Sequence, residues 1–322
     1  LQFVIQLPSL RKVGLAFRPD FRWNDPGIRR ILVLMVPSVI AASAVQINVM
    51  INTSFATHLG AEAVTWLNSA FRLMQLPLGI FGVAVATITL PVVSRIAAQT
   101  DRAEFGPTLG KALRLAAFLT LPSAVGLYFL AQPIISLIYE RRAFTATDSL
   151  QTGFALQCYA LGLVAYSWVK VLSPAFYAID KKWTPMFVSF ATIGMNYALN
   201  YLFIFRLGFG HKGLALSTSL SATMNFLVLY LLMHRHMEAM QTVRLAGTIA
   251  RCVLGSAVLG VVCWLGVTHG QPWLAAAVLW KKIAALGVLI AAGGLAYLAV
   301  CFLLKVEEVR EAVGIARRKL KI

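Results

Sequence analysis

Charge is scarce in this sequence. Of its 322 residues only 13% are Asp, Glu, Lys or Arg, about half the share of a soluble globular domain, which is roughly 25%. Acid is the scarcer sign, with 12 carboxylates against 29 Lys and Arg. Every carboxylate, Asp101, Glu140, Asp148 and Asp180 among them, falls in a loop or at a helix end. No pair therefore offers a general acid and base inside an apolar segment, and none forms a cluster for a Mg-bound diphosphate. Cysteine is limited to Cys158, Cys252, Cys263 and Cys301, each alone in an apolar run with no CxxC or Cys/His spacing. That excludes a zinc ligand set and leaves small core side chains. There is no glycine-rich phosphate loop and no nucleophile elbow. Enzyme chemistry finds no support, and no cofactor is expected.

What the chain has in abundance is unbroken hydrophobic sequence. Apolar residues make up 59% of it, and its mean hydropathy is +0.76. Only helices and closed barrels satisfy the backbone in lipid. The runs are continuous rather than alternating, so helices are the reading. The expected fold is all-α, a polytopic transmembrane bundle of eight spans, at roughly 31–59, 64–97, 109–139, 149–179, 184–206, 213–233, 246–268 and 274–304. Several exceed the roughly 20 residues needed to cross a bilayer, so they must tilt, kink at Pro77 or Pro174, or project beyond it.

The net charge of +17 invites a nucleic-acid partner. The positions of the cations exclude one, because they sit in short loops between apolar runs. Assigned to alternate loops, 21 Lys and Arg fall on one side and 6 on the other, with Arg72 and Lys170 left inside spans. The positive-inside rule then puts both chain ends in the cytoplasm, and anionic lipids are the expected partners of the basic loops. Four regions follow: a basic lead-in with a surface helix (1–30), a six-helix lobe (31–233), two further spans (234–304) and a basic tail (305–322). Asn24-Asp25-Pro26 offers an N-cap with Pro opening the helix. The tail is either an amphipathic helix on the cytoplasmic leaflet or a solvated charged end. Leu1 is not an initiator Met, and LQFVIQLPSLRK reads as the end of an earlier segment, so the chain is expected to be the C-terminal part of a longer protein.

Two cations and three amide-rich patches interrupt the apolar runs. Arg72 lies in VTWLNSAFRLMQLPLGIFGVAVATITLPVVSR, ahead of Pro77 and Gly79, which would bend the helix. Two readings stand: a guanidinium facing a wet anion pathway, or one that snorkels to the interface. Lys170, in YSWVKVLSPAFYAIDKK, is open between function and a hydrogen bond to the carbonyl that Pro174 frees. Asn48 and Asn52 repeat at i, i+4, as do Asn196 and Asn200, and Ser217, Thr218, Ser219 and Ser221 cluster further on. These groups are either interhelical glue or oxygen ligands of a cation.

The segments FRLMQLPLGIFGVAVATITLPVVSR, YERRAFTATD and KVLSPAFYAIDKKWTP resemble the MurJ (MviN) lipid II flippases of the MOP exporter superfamily. The lead-in LPSLRKVGLAFRPDFRWNDPGIRRILVLMVPSVI fits as well. The resemblance covers essentially the whole chain. It implies the last eight of fourteen helices, with the N-terminal lobe of the same protein as the missing partner. It further implies alternating-access movement of lipid II, an undecaprenyl-diphosphate-linked peptidoglycan precursor, from the cytoplasmic to the periplasmic leaflet. By this resemblance Arg72 is one of the cavity arginines that meet the pyrophosphate, with Gln75 standing where family members often carry Glu. Asn52, Asn196, Asn200 and Thr218 match a sodium site of some members. Asn52 and Asn200 stand where a sodium-binding member has Asp, so a metal there is not favoured. The last two helices match those that form a groove for the lipid tail. The rival expectations are an exporter of another undecaprenyl-linked glycan and a membrane scaffold that transports nothing.

Overall fold

The computed structural model describes residues 26–99, 103–237, 241–274 and 279–309. The expected basic lead-in, 1–30, lies largely outside the described residues. So does the tail from 310 onward. The chain divides into two compact units, Leu1–Ala42 and Ser43–Ile322. Of the first unit the described part, 26–42, is helical. All the packing below belongs to the second.

The elements are helices α1 (Pro26–His58), α2 (Ala61–Ala97), α3 (Phe105–Phe129), α4 (Ala131–Tyr139), α5 (Ala146–Ala178), α6 (Trp183–Arg206), α7 (Gly210–His236), α8 (Thr242–His269), a single turn α9 (Gln271–Leu274) and α10 (Leu279–Leu303). No strand occurs among the described residues. Seven helices there are long and apolar enough to cross a bilayer: α2, α3, α5, α6, α7, α8 and α10. The sequence predicts eight spans. The difference is 31–59, which falls on α1, where the side chains of 29–38 lie outside the described residues. Large apolar side chains such as Ile88, Leu231 and Leu295 are exposed on these helices. That is expected of surfaces whose solvent is lipid.

Two predicted spans are shaped differently from their sequence reading. The run 109–139 is two helices, because α3 ends at Phe129 and α4 begins at Ala131. Pro133 accounts for the break. It has no N–H to give to the Phe129 carbonyl, yet it fits the third position of a new helix, where no intrahelical donor is needed. In α2 the expected bend is a change of winding: residues Leu78–Val83 form a π-helical stretch directly after Pro77. Proline withholds one N–H from the ladder, and the wider turn re-pairs the backbone without breaking the span.

The centre of the larger unit is α5. It is capped by Thr145 and Asp148, whose side chains each accept from the other's backbone N–H, at 3.3 and 2.7 Å. This reciprocal arrangement satisfies two of the helix's orphan donors. On one side α5 lies close against α7 at Gly162, where an added Cβ would stand 2.8 Å from Ser219 Cα. A small residue at a crossing lets two backbones approach and gain dispersion contact, which lipid cannot oppose through the hydrophobic effect. On another side α5 packs against α2, placing Phe105, Phe176, Leu172 and Val93 in one core and Met74, Leu156, Leu163 and Leu214 in a second. The pair α8–α10 closes on α3 through Phe118, Leu259, Cys263 and Tyr297, with the Tyr297 hydroxyl donating to the Phe118 carbonyl at 2.7 Å.

Candidate functional site

Helix α2 buries one face and leaves the other open. Ala63, Leu67, Ala70, Met74 and Leu78 are buried, and their i, i+3, i+4 spacing makes them a single stripe. Diametrically across the helix stand Thr65, Asn68, Arg72 and Gln75, all exposed. Among the described residues, none of these four side chains has a hydrogen-bond or ion-pair partner. Arg72 lies eleven residues beyond Ala61, about 16 Å along the axis. That is three turns in, against about two from the predicted span start at 64, and comparable to half the roughly 30 Å hydrocarbon thickness. An unpaired guanidinium at such depth is costly against acyl chains, and three polar neighbours on the same stripe would add to that cost. The arrangement suits a water-filled hollow and an anion. Gln75 is on the stripe one turn beyond Arg72 and supplies no counter-charge.

Lys170 is placed elsewhere. Helices α2 and α5 run parallel, because Trp66 Nε1 donates to Asp148 Oδ1 at 2.8 Å, the Phe71 and Tyr159 rings meet at 5.4 Å, and a Cβ on Gly82 would touch Ser167 Oγ at 3.0 Å. Arg72 is therefore level with residues near Tyr159, and Lys170 is about 15 Å further along. The structure does not bring the two cations together. Lys170 shares the face of α5 that carries Leu163 and Ser167, yet it is exposed. Among the described residues it has no hydrogen bond, so the contact with a carbonyl freed by Pro174 is not formed.

The amide patches do converge. Asn52 Nδ2 donates to Asn48 Oδ1 at 2.9 Å and to Thr218 Oγ1 at 3.3 Å. Asn200 Nδ2 donates to Asn52 Oδ1 at 2.8 Å and to Asn196 Oδ1 at 3.2 Å. The Ser217 hydroxyl donates to Asn200 Oδ1. Asn196 and Asn200 are fully buried. The four predicted sodium ligands are thus neighbours, joining α1, α6 and α7. Their oxygens, however, already accept from amide and hydroxyl hydrogens. A cation would have to displace those donors and find no carboxylate in return. Among the described residues no group of three or more His, Cys, Asp and Glu could hold a metal.

One charged contact escapes sequence reading. Arg114, a loop cation by count, is buried on α3, where its Nε donates to Glu308 Oε1 at 3.1 Å and its Nη1 to Gln241 Oε1 at 3.2 Å. The partners lie 194 and 127 residues away, so no local signal could have paired them.

The model of a family described as "Lipid II flippase MurJ" matches residues 1–284. A probable lipid II flippase MurJ of Vibrio cholerae serotype O1 is 34% identical over 307 residues, which is 95% of this chain and 58% of that protein. A lipid II flippase MurJ of Burkholderia cenocepacia is 37% identical over 235 residues, 72% of this chain and 45% of that protein. Among solved structures, "Lipid II flippase MurJ, inward closed conformation" aligns with a TM-score of 0.67 and 26% identity, over 99% of this chain and 60% of that one. A MATE transporter in complex with MaD3S aligns with a TM-score of 0.54 at 16% identity, over 88% of this chain and 68% of that one, a likeness of fold alone. The chain spans about half the length of the curated relatives it matches.

Proposed function

The chain belongs to the lipid II flippase MurJ family, and on that premise we propose that it forms the C-terminal lobe of a transporter, not an enzyme, that moves a lipid-linked diphosphate across the bacterial inner membrane. The substrate is lipid II, carried from the cytoplasmic to the periplasmic leaflet by alternating access. Its polyprenyl tail stays in lipid while the head group passes between lobes. The observation that carries this reading is Arg72: a cation three turns inside a membrane-spanning helix, exposed, without a protein partner among the described residues, and flanked by polar groups on one stripe. A guanidinium binds diphosphate oxygens through paired N–H donors. With Gln75 in place of an acid, its charge is uncompensated on its own helix.

Lys170, about 15 Å further along the parallel helix α5, serves as a second and weaker anion contact on the same route. The π-helical stretch Leu78–Val83, just beyond Arg72, is where α2 changes pitch as the lobes rock. The amide network of Asn52, Asn196, Asn200 and Thr218 clamps three helices together in place of a sodium ion. Both chain ends are cytoplasmic, anionic lipids hold the basic loops, and the N-terminal helices of the same protein supply the facing wall.

The test is reconstitution of the full-length protein in vesicles with lipid II. Arg72→Ala should reduce translocation at least tenfold, while Arg72→Lys keeps part of it. Normal translocation by Arg72→Ala would sink the role given to that side chain.

A further inference from the structure

The stripe that carries Arg72 is not the same in both directions. Toward Ala61 it continues with Asn68 and Thr65, which are exposed and polar. Toward Val83, past Gln75, it turns apolar, with Leu76, Gly79, Ile80 and Val83 all exposed. The polar-to-cationic run from Thr65 to Arg72, about 10 Å of helix, matches a ligand whose charged group adjoins hydrogen-bonding groups. Asn68 stands out for a second reason. The other asparagines of the described spans, Asn48, Asn52, Asn196, Asn200 and Asn225, are all hydrogen-bonded within the protein. Asn68 alone among them has no partner. An amide carried about two-thirds of the way from Ala61 to Arg72, and left unpaired among the described residues, has its donors and acceptor free for a ligand.

We propose that Asn68, with Thr65 beyond it, binds the sugar next to the diphosphate, so that the head group lies toward Ala61. The proposal rests on the reading of Arg72 as the diphosphate contact. Asn68 stands four residues from Arg72, one turn or about 6 Å along the same face, the spacing between a diphosphate and hydroxyl or acetamido groups on the first sugar ring. A carboxamide donates two hydrogens and accepts through one oxygen, so it can pair with such groups without cancelling the charge of the guanidinium. A carboxylate at the same place would repel the diphosphate and neutralise Arg72. Asn68 is therefore a specificity residue, and Arg72 supplies the affinity common to all lipid diphosphates.

The experiment measures binding of two probes, lipid II and bare undecaprenyl diphosphate, to the full-length protein in nanodiscs. Arg72→Ala should weaken both. Asn68→Ala should weaken lipid II about tenfold, the scale of one or two lost hydrogen bonds to a buried ligand, and leave undecaprenyl diphosphate unchanged. Asn68→Gln should recover part of the preference, and Asn68→Asp should weaken both probes. Thermal midpoints show that the variants are folded. If Arg72→Ala weakens both probes while Asn68→Ala changes neither, or weakens both equally, the assignment of Asn68 is wrong and that of Arg72 stands. If Asn68→Ala alone acts, the sugar contact stands and the role of Arg72 falls. If neither variant acts, both fall.

Discussion

Asn200 Nδ2 donates to Asn52 Oδ1 at 2.8 Å, across 148 residues of sequence, and so ties α6 to α1 at a point where both amides also serve other partners. In Asn200→Ala three groups lose their partner together: the Asn52 carbonyl, the Ser217 hydroxyl as it faces Asn200, and the Asn196 oxygen. A cost of about 1–3 kcal/mol for the buried groups left unpaired is expected, read as a lowered thermal midpoint in detergent.

The same network makes a statement about ions. Because its oxygens are occupied by donors, the thermal midpoint should be the same in sodium chloride and in choline chloride. The double variant Asn52→Asp, Asn200→Asp replaces two amides with carboxylates, and its midpoint should rise with sodium, since hard cations need charged oxygen ligands. A sodium-dependent midpoint in the unmodified protein would contradict this account of the patch.

Arg114 and Glu308 form a buried pair. Removing one partner leaves an uncompensated buried charge, which costs about 3–5 kcal/mol, whereas replacing both with apolar residues of similar volume is often close to neutral. Glu308→Ala should therefore destabilise the protein markedly, and Arg114→Leu with Glu308→Leu much less. Hydrogen exchange at 304–309 measures the effect, with faster exchange expected in the single variant.

The crossing of α5 and α7 at Gly162 leaves no room for a side chain, because a Cβ there would meet Ser219 Cα at 2.8 Å and its Cβ at 2.9 Å. The obstructing atoms include backbone, so relief requires the helices to part. Gly162→Val should lower the thermal midpoint and the yield of folded protein, and Ser219→Gly in the same chain should restore part of both.

Much of this was legible beforehand. Hydrophobic run length gave the helical class and most boundaries, since lipid leaves the backbone no alternative. The i, i+4 amide pairs were visible as candidates for contact, and they do meet. Arg72 could be singled out because a charge in an apolar run is rare. What could not be read is which way it faces: that depends on the packed stripe of Ala63, Leu67, Ala70 and Met74, whose partners on α5 lie about 90 residues away. Asn68 went unremarked for the same reason, because an amide announces nothing until its neighbours prove to be absent. The break at Leu130 is not legible from Pro133, since a proline at a helix start and one at a kink look alike in sequence. The Arg114–Glu308 pair bridges sequence-distant segments and left no local pattern.

The central claim is that the Arg72 side of α2 faces water and ligand. Cysteine labelling tests it most directly. In a background with Cys158, Cys252, Cys263 and Cys301 replaced by alanine, Arg72→Cys should react with a charged, membrane-impermeant thiosulfonate, and undecaprenyl diphosphate should slow that reaction. Leu231→Cys, exposed on an apolar surface of α7, should stay unlabelled. An Arg72→Cys protein as inert as Leu231→Cys would place that face in lipid and contradict the account.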